Sequence, residues 1–156
     1  MEIVTGEDNQ ILRQKSLPLK HIDASARSLI ERMKKVMKQN NGVGLAAIQI
    51  GEPVRIIICE IDDKFYSFIN PEIIKVFSKT SVMEEGCLSL PNIYGEVERP
   101  EKIIVKAINF DGKKLKIKAF GLLARVIQHE IDHLDGILFI DKAKNIMKDT
   151  QKKAAL

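Results

Sequence analysis

Hydrophobic positions along the chain change their period twice. In "IDASARSLIERMKKVMKQNNG" (22–42), Leu29, Ile30, Met33, Val36 and Met37 recur at three- and four-residue steps. That spacing places them on one face of a helix. Asp23 or Ser25 can cap its free N–H groups, and Asn40-Asn41-Gly42 ends it. "GVGLAAIQIG" (42–51) follows, too rich in small residues for an ordinary strand. From residue 53 the runs become β-branched and aromatic, and "PVRIIICEI", "KFYSFIN", "EKIIVKAINF" and "KLKIKAF" read as strands. Asp111-Gly112 between the last two signals a hairpin, and "KLKIKAF" alternates as a half-exposed strand should.

After Gly121 the period returns to that of a helix. In "LLARVIQHEIDHL", Leu123, Val126, Ile127, Glu130 and Leu134 follow one stripe, while Leu122, Val126, His129 and His133 follow its neighbour. Apolar residues cover most of the circumference, so this helix should be buried against sheet. Ionisable groups on such a helix are costly unless they are paired or ligate an ion.

Composition adds boundaries rather than identity. The 156 residues, 45% hydrophobic and 29% charged, suit one soluble globular domain spanning 1–156. No internal repeat or linker divides it. No apolar run approaches the roughly 20 residues of a membrane span, and "MEIVTGEDNQ" lacks the apolar block of a secretory signal. A cytoplasmic protein with no membrane attachment is expected. The net charge of +4 is concentrated in "DKAKNIMKDTQKK" (141–153), with five lysines and two aspartates. Such a tail is either a solvated face or a contact for nucleic acid or a ribosomal surface.

Two cysteines do not make a disulfide framework. Cys59, inside "VRIIICEI", reads as a small buried hydrophobe. Cys87, between Gly86 and "LSLP", lies in a less strand-like setting and needs another explanation.

"QHEIDHLDG" (128–136) supplies one. Residues i and i+4 share a helix face about 6 Å apart, so His129 and His133 can reach one ion. Glu130, rotated by about 100°, can lean over an open coordination position and move a proton there. The five-residue pattern by itself also fits two hydrogen-bonded core histidines. Third ligands of the usual metalloproteases are missing: the position that would carry another histidine is Phe139, and the downstream segment "QKKAAL" has no acid. Cys87 remains, a thiolate that would complete a Cys-His-His set with a fourth position free for water.

"GVGLAAIQ" (42–49), "EEGCLSLP" (84–91) and "QHEIDHLDG" (128–136) resemble the three signature motifs of peptide deformylase, in that family's order and spacing. Similarity runs from about residue 11 to 141. The resemblance implies an α+β single domain, with antiparallel or mixed β-sheets packed around a central HExxH helix. It implies a metallohydrolase that removes the formyl group from the N-terminal formylmethionine of nascent chains, releasing formate. Cys87, His129 and His133 would hold one divalent ion, ferrous iron in the working enzyme and zinc as an alternative. Glu130 would be the general base and then the acid. The Gln49 side chain and the Leu88 backbone N–H would stabilise the oxyanion. Val43, Gly44, Leu122 and Val126 are candidates for binding substrate, with core packing the competing role for the three apolar side chains.

Asp132 faces another side of the helix and is expected to fix it through a hydrogen bond or ion pair. Glu85 and Arg99 are expected to pair and brace the cysteine segment. Arg125 departs from the apolar helix start, and the short lysine-rich tail leaves ribosome docking an open expectation. A monomer is expected. Two rival readings fit the same residues: a short metallopeptidase with Cys87 as its third ligand, and an inactive metal-stabilised peptide-binding module.

Overall fold

The structure, a computed structural model, describes residues 2–152 and 156. Helix α1 is a single turn, Gln10–Arg13. Helix α2 runs over Ala24–Gln39, and the Asp23 side chain accepts from the Ala26 N–H at its start. Its buried face is Ala26, Ile30, Met33, Val36 and Met37, with Leu29 half-buried at the margin. "GVGLAAIQIG" divides into a short strand, β1 (Gly44–Ala46), and a 3-10 turn, Ala47–Ile50.

The β-branched runs become β2 (Ile56–Ile61), β3 (Lys64–Val76), β6 (Lys102–Ile108) and β7 (Lys114–Phe120). With β1 they form an antiparallel five-stranded sheet in the order β1-β2-β3-β6-β7. β3 is longer than "KFYSFIN" suggests, because it passes through Pro71 at a register shift between Ile69 and Glu72. Asn70 absorbs that shift in the left-handed region, with φ 51°, and its side chain bonds both the N–H and C=O of Leu19. Proline is tolerated in a strand where the ladder is already interrupted.

A second antiparallel sheet, in the order β4-β5-β8, comprises β4 (Thr80–Cys87), β5 (Leu90–Pro100) and β8 (Lys144–Lys148). None of its strands is evident from hydrophobic alternation. Its inward positions include Glu85 and Arg99, which read as polar, and its ladder shifts register at Gly86/Cys87 and Tyr94/Glu96. Cys87 therefore ends a strand, at an irregularity in its ladder.

Helix α3 (Gly121–Leu134) follows β7 directly and packs against β1, β2, β6 and β7 of the larger sheet and β5 of the smaller one. Ala124, Val126, Ile127, Ile131 and Leu134 bury against Ile57, Cys59, Phe68, Ile103, Val105 and Ala119. Gly136 turns the chain out of the helix at φ 75°, against the Arg13 carbonyl, where a Cβ has no room. No helix among the described residues is long and apolar enough to cross a membrane.

Candidate active site

Three elements meet at one buried point. β4 delivers Cys87 from the smaller sheet, and α3 delivers His129 and His133 from its polar stripe. One ligand atom from each of the three lies within 4.8 Å of the others. Cys87 Sγ is 3.2 Å from His133 Nε2, and the imidazole centroids are 5.1 Å apart. His129 Nδ1 is engaged by Glu85 Oε2 at 2.9 Å, which leaves its Nε2 buried and without a hydrogen-bond partner. A second ring nitrogen held by a carboxylate is the usual support of a metal-ligating histidine.

The electrostatics fit a cation at this point. Burial, with the nearby Glu130 second, pushes the Cys87 thiol up to about 12, against the backbone N–H groups of Ser89 and Leu90. Burial, followed by His129 and Arg99, holds His133 well below the usual imidazole range, so it is a neutral donor. A thiol so disfavoured as an anion ionises when a cation binds it, and metal binding then releases the proton. One soft sulfur and two imidazoles suit zinc or ferrous iron. Cys59, by contrast, is a buried core residue whose thiol is raised by burial, and it does not join the ligand group.

Glu130 lies on α3 beside this point, 1% exposed, with both carboxylate oxygens unpartnered. Burial first, and then the charge of Glu85, raise its pKa well above the usual carboxylate range, while Arg99 opposes the shift. Gly44 on β1 makes this position available. A Cβ there would lie 2.5 Å from Glu130 Oε1 and 2.7 Å from Val126 Cγ1.

Gln49 sits in the 3-10 turn after β1, also buried. Its Oε1 accepts from the Ala46 N–H at 2.8 Å, which fixes the amide so that Nε2 points toward the cysteine segment. Nε2 donates to Ser89 Oγ at 3.1 Å and reaches Cys87 Sγ at 3.5 Å. Leu88 is half-buried, next to Cys87, and its side chain closes over Gly42. The three motifs, separate in sequence, thus touch one another.

Around them is a buried charge network larger than the expected Glu85–Arg99 pair. That pair is bidentate, with Arg99 Nε 2.6 Å from Glu85 Oε1 and Nη2 3.0 Å from Oε2. Arg99 Nη1 also holds Asp132 at 2.8 Å, and Lys142 meets Asp132 from outside. Arg125 donates to Glu85 Oε1 at 2.7 Å and to the Val97 and Ser81 carbonyls. A guanidinium on an apolar helix is the signal that marks this role; the buried carboxylate it must meet is 40 residues away. The network ties α3 to β4 and β5 at the level of the ligands.

Of the candidate substrate residues, Val126 is fully buried beside Gly44, and Val43 is half-buried against the same core. Leu122 stands apart: it is 43% exposed on the first turn of α3. His21 lies in a surface loop far from the motif in sequence.

Residues 1–149 match the family model described as polypeptide deformylase. The chain is 47% identical over 144 residues to a peptide deformylase of Mesorhizobium japonicum, covering 89% of this chain and 82% of that one. It is 49% identical over 135 residues to the enzyme of Syntrophomonas wolfei, covering 86% and 88%. Among solved structures, the peptide deformylase of Synechococcus elongatus in complex with actinonin is similar at a TM-score of 0.89 and 37% identity, covering 93% of this chain and 79% of that one. The Thermotoga maritima enzyme aligns at a TM-score of 0.88 and 39% identity, covering 92% and 98%. Fold, motifs and full-length similarity agree: the chain belongs to the peptide deformylase family.

Proposed function

We propose that Cys87, His129 and His133 hold one divalent ion, that Glu130 is the general base and then the acid, and that Gln49 and the Leu88 N–H bind the oxyanion. The reaction is that of the family, metal-dependent hydrolysis of the formyl group from the N terminus of nascent peptides. The observation that carries the assignment is the buried, unpartnered Glu130 carboxylate beside three converging ligands. When bound, the ion supplies Lewis-acid polarisation and makes water a competent nucleophile near neutral pH.

Glu130 takes a proton from the attacking water as oxygen adds to the formyl carbon. The carbonyl oxygen becomes an oxyanion, which accepts hydrogen bonds from Gln49 Nε2 and the Leu88 N–H. The C–N bond then breaks, and Glu130 returns its proton to the departing amine. Formate and the free amino terminus are the products. The peptide itself is held along β1. Glu60 N–H donates to the Val43 carbonyl, so the next residue, Gly44, turns its N–H and C=O to the open edge of the sheet. An extended peptide can add there as a strand. Val43 and Val126 form the floor of the pocket for the methionine side chain, and Leu122, one helical turn before Val126, closes its outer side.

Ferrous iron is the working ion in this reading, with zinc as its substitute, and the protein acts as a cytoplasmic monomer. The tail contributes less to a ribosome contact than its charge suggests. Lys142 is spent on Asp132 and Lys152 on Glu84, and Lys153 lies outside the described residues.

Formate release from a formyl-methionyl tripeptide, with metal analysis of anaerobically purified protein, tests the assignment. Wild type should turn over and contain iron. Glu130→Gln should keep the ion and lose about 10²–10⁴-fold in rate. Normal turnover by metal-loaded Glu130→Gln would remove the base from Glu130, and cleavage of unformylated peptides in preference would favour a metallopeptidase instead.

A further inference from the structure

The larger sheet has one open face. Helix α3 covers the other side, and α2 covers only the part of this face that includes Ile56, Ile58 and Ile69. Beyond Ile108, the outward positions of β6 and β7 and the end of β3 are left to solvent, and they are mostly lysine. Lys114, Lys116, Lys118 and Phe120 alternate along β7, across from Ile108, Lys106, Ile104 and Lys102 of β6. Lys75 lies across from Ile104 on the other side. Six lysines share this area with one acid opposite them in the ladder, Glu72, which pairs with Lys106 at 3.1 Å. Lys106 and Lys116 face each other directly, a like-charge pair that a sheet does not retain for its stability.

Two aromatic rings stand among these charges. The Lys102 ammonium lies 4.1 Å from the Phe77 ring centre and 5.0 Å from that of Phe120, and Lys118 is 6.0 Å from both. Lys75 adds a third ammonium 4.9 Å from Phe77. Phe120 is 56% exposed, although the alternation of β7 would suit a polar residue there. The two rings line a cavity of about 600 Å³ with Lys102, Ser78, Ser81 and a Lys79–Glu101 pair at 2.9 Å in its wall. Loss of hydration, then the neighbouring Lys118 and Lys75, hold Lys102 below the usual lysine range.

We infer that this face of β3, β6 and β7 binds single-stranded RNA, with the lysines on phosphates and Phe77 and Phe120 stacking on bases. An open sheet carrying adjacent aromatics within a basic field is a platform for unpaired bases, because every base offers a π-face and every linkage a charge. Ser78, whose hydroxyl can both donate and accept, is the group in this cavity that can meet a ribose 2′-hydroxyl. An acidic protein would satisfy the lysines and leave the rings unused. The face lies at the β7 end of the sheet and β1 at the opposite edge, so RNA and peptide do not compete.

Fluorescence anisotropy of a labelled, unstructured ten-nucleotide RNA tests this on the full-length metal-loaded protein. Binding should weaken with salt, with log K falling by about 0.7 per phosphate contacted for each unit of log salt. Lys102→Glu with Lys118→Glu should weaken it at least tenfold and flatten the salt slope. Phe77→Ala and Phe120→Ala should each cost on the order of tenfold at unchanged slope. All should keep wild-type formate release from a short peptide, which also reports folding. Lys144→Glu with Lys148→Glu, on the tail strand, should leave RNA affinity unchanged. Three results would overturn the proposal: affinity insensitive to the phenylalanines, equal affinity for the deoxy oligonucleotide or for polyglutamate, or loss of binding only in the tail variant.

Discussion

A single missing carbon atom decides how Glu130 can act. Gly44 has no left-handed backbone requirement, so its glycine is needed for space rather than for φ. A Cβ would fall 2.5 Å from Glu130 Oε1 and 2.7 Å from Val126 Cγ1. The carboxylate is the free end of a flexible side chain and can swing aside, whereas Val126 is locked into the core, so β1 itself must also shift away from α3. Gly44→Ala is therefore expected to keep the ion, whose proposed ligands lie on β4 and α3, while costing some stability and losing turnover by roughly 10²-fold as the proposed general base moves out of reach. The split between kcat and KM distinguishes this from a lost substrate hydrogen bond. A rise confined to KM would mean that Gly44 serves the peptide and leaves Glu130 where it was.

The two helices flanking the sheet were legible because their faces obey one rule each. Ile30, Met33, Val36 and Met37 repeat at helical spacing with a cap at Asp23, and α3 declares itself by an apolar circumference interrupted only by chemistry. Strands β2, β3, β6 and β7 of the larger sheet were legible for the same reason, since hydrocarbon fills their inward positions, whereas β1 was not, because glycine and alanine make up most of it. The smaller sheet was not, because its interior is ionic: Glu85 and Arg99 satisfy each other across strands that periodicity reads as surface. The site was legible as residue types but not as a network. Arg125 was visible only as an anomaly until Glu85 was placed beside it.

One contact between elements carries its own pH signature. Asp141, in the 3-10 turn after α3, accepts from Arg13 of α1 and from the Leu138 N–H at 2.9 Å. Partial burial would raise its pKa, but the Arg13 hydrogen bond and the Leu138 N–H outweigh it and hold the carboxyl below its usual range. A carboxyl depressed on folding stabilises fully above its unfolded value of about 4 and loses that contribution as pH falls through the folded value. Asp141→Asn should thus cost about 0.5–1 kcal/mol at pH 7 for a largely exposed pair, and less at pH 3, where the contribution is already being lost. Urea unfolding of both proteins at the two pH values checks it. An equal loss at both would assign the effect to packing and not to charge.

At the scale of the whole molecule, the proposed ion is a cross-link between the two sheets. Cys87 ends β4 of the smaller sheet, while His129 and His133 belong to a helix whose apolar side is buried in the larger one. Without a cation the same point holds a disfavoured thiol and an unpartnered His129 Nε2, both buried. An ion that binds the folded state alone adds stability as the logarithm of its concentration over Kd, about 2.7 kcal/mol at a hundredfold excess. In a domain of this length that corresponds to roughly 5–10 °C in Tm. Chelation should lower the Tm of wild type by this amount, and readdition of metal should restore it. Cys87→Ala should start near the Tm of the stripped protein and be indifferent to chelator, because two histidines leave too few ligands. Cys59→Ala creates only a small void in the apolar core, so it should lower Tm modestly yet keep the full response to chelation. Calorimetry of the three proteins with and without chelator, alongside metal analysis, distinguishes these outcomes. A wild-type Tm unmoved by verified removal of the ion would mean that the Glu85, Arg99 and Arg125 network alone joins the sheets, and that the ion serves catalysis without holding the fold.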